Sequence, residues 1–356
     1  MKTLLDDPKN FGRYDTLGVY DSIGALSQQF ESGWHDAQFV SLNFEPDKIK
    51  NIVFAGMGGS GLPAHIIQSL SPLLLKLPFE IISNYRFPRY VSKDTLVILV
   101  SYSGNTEEVL SCGQDAVKRQ SKAIVITTGG KLKGLALTAH FPLILLDEKL
   151  NRSHDPRYGI GLMLGAAMGL MVRLDTQSYG SVDPKEIVRV IERSLDLLNP
   201  EKPTNDNPAK LAAIKNKGQS IIIFSANHLS GVAKISTNFF NETAKTFSAH
   251  FSIPDLNHYL MDGLVFPTTL KDNTRFILLN SSLYPEIIQK RFQLTKDILI
   301  KQNYQLMVIK PESTDLVSQV FESLVFLIMI SYYLSIVNKQ DPGSNPWVDF
   351  FKKQLI

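Results

Sequence analysis

Polar positions prevail over the first stretch of the chain, broken by Tyr20, Ile23, Leu26 and Phe30 at helical spacing. Residues 1–48 therefore predict a helical lead-in packed on the core. From Asn51 the texture changes. NIVFAGMGGSG is an apolar run that stops at a glycine cluster, and LPAHIIQSL follows with a helical pattern. That is a strand, a tight turn and a helix. The unit recurs: FEIISNY reads as a second strand, and TLVILVSYSGNTEEVLSCGQDAV as a third with its polar turn and helix. KAIVITTGG and FPLILLD supply a fourth and a fifth. Apolar strands without alternation, separated by helices, predict a parallel sheet covered on both faces.

A break is expected near Asp175 to Lys185. The helical stretch IVRVIERSLDLL then leads into the Pro/Asn-rich segment NPEKPTNDNP. After it the pattern begins again, with QSIIIFSANHLSGVAKISTNFFNETAKTF as strand, turn and helix, and TRFILLN and QLMVIKP as two more strands. The expected fold class is α/β, with two doubly wound parallel-sheet domains of duplicated architecture. The lead-in covers 1–48, the first domain 49–175, and the second domain 176–356 with a C-terminal helix. Leu316 to Val337 is the greasiest stretch. Its uninterrupted apolar part is shorter than the about 20 residues a membrane span needs, and Glu322 sits near its start. A buried core or subunit-interface helix is expected there. The opening MKTLLDDPKNFGRYD carries acids and a proline where a signal peptide would need an apolar stretch.

Composition narrows the partners. Of 356 residues, 44% are hydrophobic and 20% charged, as in ordinary globular chains. The 37 Lys and Arg exceed the 34 Asp and Glu by a net +3. So small an excess argues for neither nucleic acid nor an anionic membrane surface, although a local patch can still attract a small anion. The lone cysteine, Cys112, allows no intrachain disulfide and reads as a core thiol in a reducing compartment. A soluble cytoplasmic protein is expected.

Ligands of an open parallel sheet bind at the carboxyl ends of its strands. Two turns fall there: Gly56-Met57-Gly58-Gly59-Ser60-Gly61 and Ser101-Tyr102-Ser103-Gly104-Asn105-Thr106. Each leads into a helix whose first N–H groups lack partners, which makes a ready phosphate site. Glycines permit close backbone approach, and the hydroxyls of Ser60, Ser101, Ser103 and Thr106 can donate to an anion. Serine and threonine also serve as plain helix caps, so either turn alone leaves both readings open. Gly56, Gly58 and Gly61 fit the dinucleotide pattern as well, but the second strand offers Asn84 where that pattern needs an acid. Two hydroxyl-rich turns on neighbouring strands favour a monophosphate.

GMGGSG followed by SYSGNTEE resembles the sugar isomerase (SIS) domain, a flavodoxin-like module that binds phosphosugars through those hydroxyls. The resemblance implies that Ser60, Ser101, Ser103 and Thr106 hold the phosphate, with Gly58 and Gly59 beside them. Thr127, Gly129 and Gly130 resemble the next strand end of that domain.

Bare, Glu242 on a helix and His258 beyond it are weak signals, since such residues are more often solvated or structural. In context, Glu242-Thr243-Ala244-Lys245 and Pro254-Asp255-Leu256-Asn257-His258 resemble paired segments of the bifunctional phosphoglucose/phosphomannose isomerases. That resemblance implies that Glu242 is the enediol base and that His258, contributed across a homodimer interface, helps open the ring. His154-Asp155-Pro156-Arg157-Tyr158-Gly159 resembles the segment whose arginine steadies the enediolate, which implies that role for Arg157. Asn345-Pro346-Trp347-Val348-Asp349-Phe350-Phe351-Lys352 resembles the final helix. Lys352 or the adjacent Lys353 would be the ring-opening lysine, with Asn345 as a polar pocket residue. Tyr259 and Asn345 depart from the family's more usual residues. The implied activity interconverts glucose 6-phosphate and mannose 6-phosphate with fructose 6-phosphate. It needs no metal or other cofactor, and no H-x-x-x-H or H-E-x-x-H pair is present. Two alternatives stand beside it. A phosphosugar-sensing SIS module would add a DNA-binding segment, and none precedes residue 50. A tandem-SIS amino-sugar isomerase or deaminase would add an ammonia-handling site, which Cys112 inside a helix does not supply.

Overall fold

The eight apolar runs become strands, and a ninth joins them, among the described residues of the computed structural model, which are 3–174 and 182–355. In the first sheet β1 is Asn51–Gly56, β2 Phe79–Ile82, β3 Thr95–Val100, β4 Lys122–Thr127 and β5 Leu143–Leu145, in the order β2-β1-β3-β4-β5. In the second, β6 is Ser220–Ser225, β7 Ser248–Ser252, β8 Thr274–Leu279 and β9 Gln305–Ile309, in the order β7-β6-β8-β9. All the pairings are parallel. Both sheets run in the same local order, so the duplicated α/β architecture expected from the sequence is present. Every residue of β3 is buried, which is why that strand reads as a continuous apolar run.

The chain divides into two compact units. One is Asp21–Glu192 and holds the first sheet; the other joins Met1–Tyr20 to Arg193–Ile356 and holds the second. The lead-in is thus shared between them at Tyr20. Of the break expected from Asp175 to Lys185, residues 175–181 lie outside the described residues, and helix Pro184–Leu197 follows.

In the first unit, Val53, Ala55, Val97, Leu99 and Val125 from the strands pack with Val109, Cys112 and Ala116 of helix Glu107–Arg119. Cys112 is a core thiol, as expected. It donates to the Asn84 carbonyl at 3.1 Å, and burial pushes its pKa up to about 12. In the second unit, helix Leu316–Val337 is long and apolar enough to cross a membrane, yet 89% of its apolar window is buried inside the fold. It is a core helix. Two of its tyrosines are satisfied from within the unit: Tyr332 Oη donates to Asp15 Oδ2 at 3.1 Å, and Tyr333 Oη to the Leu198 carbonyl. Strand β7 was not expected from the sequence. Only Ser248 is buried and the rest is half-buried, so this edge strand lacks an apolar run.

Candidate active site

The first sheet reverses its winding between β1 and β3, and the crevice beyond their carboxyl ends is where a ligand sits in such folds. Gly56 and Val100 close the two strands in register. Beyond Gly56 the chain makes the tight turn Gly58–Gly61 and enters helix Leu62–Leu74, whose first turn carries no acid. Its positive end is therefore uncompensated. Beyond Val100 the second turn leads to Thr106 at the N-cap of helix Glu107–Arg119. There Glu107 and Glu108 already complement the dipole, which leaves the hydroxyls to carry an anion.

Those hydroxyls are gathered. Ser60 Oγ accepts the Tyr102 backbone N–H at 2.9 Å, which ties the first turn to the second. Ser101 Oγ lies 2.8 Å from Thr106 Oγ1. Ser60 and Ser101 are buried, Thr106 is half-buried and Ser103 is exposed. The Thr106 side chain makes no cap hydrogen bond, so its hydroxyl is not committed to the helix end. The third strand end joins them, because Thr128 Oγ1 donates to the Tyr102 carbonyl at 2.7 Å. Gly104 has φ +69°, and a Cβ there would stand 1.9 Å from the Gly129 carbonyl oxygen. Only glycine lets these two turns nest.

Arg157 belongs to the same place. A Cβ on Gly59 would meet the Arg157 backbone nitrogen at 2.8 Å, so the first turn packs directly on the arginine's main chain. Asp155 caps the turn Pro156–Gly159 by accepting the Arg157 N–H at 2.8 Å, and its second oxygen takes Nη2 at 2.9 Å. The arginine side chain is 1% exposed, with its guanidinium 4.8 Å from the Tyr158 ring centroid. A loop between a proline and a glycine reads as surface, yet this guanidinium is buried and charge-paired. Asp155 and Tyr102 are the positioning groups that the sequence did not single out. Tyr102 Oη accepts Asn151 Nδ2 at 2.9 Å, and burial pushes its pKa up to about 12.

The second sheet's own switch point, beyond β6 and β8, is filled by side chains. Tyr284 Oη accepts the Ala226 N–H at 3.2 Å and donates to the Leu279 carbonyl at 2.9 Å. Gln319 Oε1 accepts from Ser281 Oγ at 2.5 Å and faces His228 Nε2 at 3.1 Å. Tyr284, His228 and Gln319 are buried, so these side chains themselves occupy the crevice.

The acid–base candidates lie in the second unit. Glu242 is the last residue of helix Ser230–Glu242 and is half-buried. His258 ends the turn Asp255–His258 and is exposed. That turn is anchored by buried Leu256 and by Asn257 Nδ2, which donates to Thr295 Oγ1 at 2.9 Å. Asn345 is the N-cap of helix Pro346–Gln354, and Lys352 and Lys353 both lie in its last turn, both exposed.

Comparison with known proteins gives these places a family. Residues 47–141 match the SIS domain family, and residues 205–355 match the bacterial phospho-glucose isomerase C-terminal SIS domain. A bifunctional phosphoglucose/phosphomannose isomerase of Caldicellulosiruptor bescii is 28% identical, over 95% of this chain and 98% of its own. One of Pyrobaculum calidifontis is 30% identical, over 69% of this chain and 70% of its own. A D-glucosamine-6-phosphate 4-epimerase of Sulfolobus acidocaldarius is also 30% identical, over 66% of this chain and 75% of its own. Among solved structures, the C-terminal domain of glucosamine-fructose-6-phosphate aminotransferase from Francisella tularensis superposes with a TM-score of 0.70. The match covers 92% of this chain and 96% of that one, and at 13% identity it speaks for the fold alone. With its two SIS-type regions and these relatives, the chain belongs to the bifunctional phosphoglucose/phosphomannose isomerase family.

Proposed function

We propose that this protein is an aldose–ketose isomerase interconverting glucose 6-phosphate and mannose 6-phosphate with fructose 6-phosphate. The observation that carries the reading is the hydroxyl cradle at the first sheet's switch point, found in a chain of this family. The phosphate docks on Ser60, Ser101, Ser103 and Thr106, against the backbone of Gly58 and Gly59. His258 and Lys352 open the sugar ring. Glu242 takes the C2 proton of the aldose and returns it to C1 through a cis-enediol, while Asn345 lines the pocket. The Arg157 guanidinium, buried and held by Asp155, faces the enediolate charge, where a dry setting makes it most effective. Rotation of the intermediate presents either face to Glu242, so one base serves both C2 epimers. The reading carries with it a cytoplasmic homodimer. The buried thiol fits a reducing compartment, and Trp347, Phe350 and Phe351 on the terminal helix are 82%, 58% and 62% exposed, as a subunit contact would use.

The test is an assay on fructose 6-phosphate with chelator present, resolving glucose 6-phosphate from mannose 6-phosphate, with Glu242→Gln in parallel. Both products, lost together in the variant, are expected. Glucose 6-phosphate alone would narrow the activity to one epimer. No product, with D-glucosamine 6-phosphate converted instead, would move the protein to the activity of its epimerase relative.

A further inference from the structure

Helix Ser230–Glu242 ends on the residue read as the base, and its last carbonyls lack intrahelical partners. The chain turns back at Lys245, which sits at φ +51°. Its ammonium thereby reaches the helix end, donating to the Glu242 carbonyl at 2.6 Å and the Thr243 carbonyl at 3.5 Å. It also donates to the Asp341 carbonyl at 2.6 Å. Asp341 opens the loop that leads through Asn345 into helix Pro346–Gln354, which carries Lys352. The loop is itself fixed. Asp341 Oδ1 accepts the Gly343 N–H at 2.8 Å, and Thr16 Oγ1 donates to Oδ2. A second link runs alongside, since Asn338 Nδ2 donates to the Ala244 carbonyl at 3.0 Å and to Thr246 Oγ1 at 3.1 Å. Segments 242–246 and 338–341 are thus laced together by side chains that reach main-chain oxygens.

We propose that Lys245 is a positioning residue for the isomerisation. Its ammonium fixes the main chain at Glu242 against the main chain at Asp341, and so sets the base relative to the helix bearing the ring-opening lysine. The inference rests on the proposed role of Glu242. An ammonium is suited to the task because it presents three N–H donors from one centre, whereas a planar guanidinium would not fit the same carbonyls. A misplacement of about 1 Å at a reacting group costs on the order of 100-fold in rate. Phosphate binding depends on other residues, so it is unaffected.

The test compares wild type with Lys245→Met on fructose 6-phosphate, reading kcat and KM separately, with circular dichroism and a thermal midpoint on each. The expected result is a kcat lower by about 10- to 100-fold, with KM within about twofold. Lys245→Cys alkylated with 2-bromoethylamine restores an ammonium at nearly the original reach, and recovery of kcat to within about threefold of wild type is expected. Wild type treated with the reagent is the control, its one native thiol being buried. Should Lys245→Met not fold, Lys245→Gln, which keeps two N–H donors, takes its place. A folded variant with unchanged kcat overturns the proposal. So does a variant that loses kcat and thermal stability together while aminoethylation restores only the stability. A wild type inactive on fructose 6-phosphate would instead sink the isomerase reading, and the positioning role with it.

Discussion

Two residues of the cradle carry unequal burdens, and each can be tested separately. At Gly104 a methyl group meets both the left-handed φ and the Gly129 oxygen 1.9 Å away. Strain of about 1–2 kcal/mol for the backbone alone is then joined by a forced separation of the two turns. Gly104→Ala is expected to lose about 3 kcal/mol or more in urea unfolding and to raise KM for any 6-phosphate. Unchanged KM would show that the nesting of these turns does not shape the cradle. Asp155→Asn is gentler in shape, because its amide oxygen still accepts the Arg157 N–H, but it removes the charge opposite a guanidinium that is 1% exposed. Breaking buried pairs from one side costs about 3–5 kcal/mol. With the carboxylate itself 13% exposed, about 2–3 kcal/mol is expected in the same unfolding measurement. Since Arg157 is proposed to face the enediolate, kcat should fall while KM holds.

At the scale of elements, the filled switch point of the second sheet makes a pH prediction. Burial lowers the pKa of His228 below its ordinary 6.5, opposed by the hydrogen bond to Gln319. The folded state therefore stays neutral where the unfolded chain takes up a proton. Stability tied to this histidine is complete above pH 6.5 and falls as pH drops from there toward the lower folded value. His250 behaves alike, through burial first and then the charge of Lys234. His228→Gln should flatten the loss of stability below pH 6.5 by up to one proton, about 1.4 kcal/mol per pH unit, leaving the share of His250. An identical slope in the variant would show that His228 is protonated alike in both states. This network was illegible in the sequence, because SANHLSG reads as a second glycine-containing turn and nothing local says that Tyr284 and Gln319 will close over it. The elements that were legible are those whose burial is two-sided, β3 above all. Edge strand β7 was not, because its two serines and its histidine leave no apolar run to see. The hydroxyl turns were visible for a different reason, since glycine clusters mark strand ends directly. Glu242, His258 and Lys352 were reached only through the resemblance, and Lys245, a lysine just past a helix, looks like any solvated charge until the fold brings Asp341 to it.

At the scale of the whole molecule, the proposed roles fall on separate stretches of chain. The hydroxyls belong to the unit Asp21–Glu192, and the base to the unit that joins Met1–Tyr20 with Arg193–Ile356. Binding and proton transfer should then be separable by mutation. Thr106→Val removes a proposed phosphate donor without removing a helix cap, because this N-cap side chain makes no cap hydrogen bond. A hydrogen bond to a charged group contributes about 1.5–3 kcal/mol, so the Kd for fructose 6-phosphate should rise about 10- to 100-fold, while loss of the contact with the buried Ser101 hydroxyl costs about 1–3 kcal/mol of stability. Measuring that Kd by calorimetry requires a protein that does not turn over, and Glu242→Gln supplies it. General-base loss should cut kcat by about 10²- to 10⁴-fold and leave Kd unchanged. Two groups that share no partner have additive effects on free energy, so Thr106→Val should change Kd by the same factor whether measured as an inhibition constant in wild type or directly in Glu242→Gln. If Glu242→Gln alone weakened binding as much as Thr106→Val does, the glutamate would be a ligand-holding group, and the base would have to be sought elsewhere in the second unit.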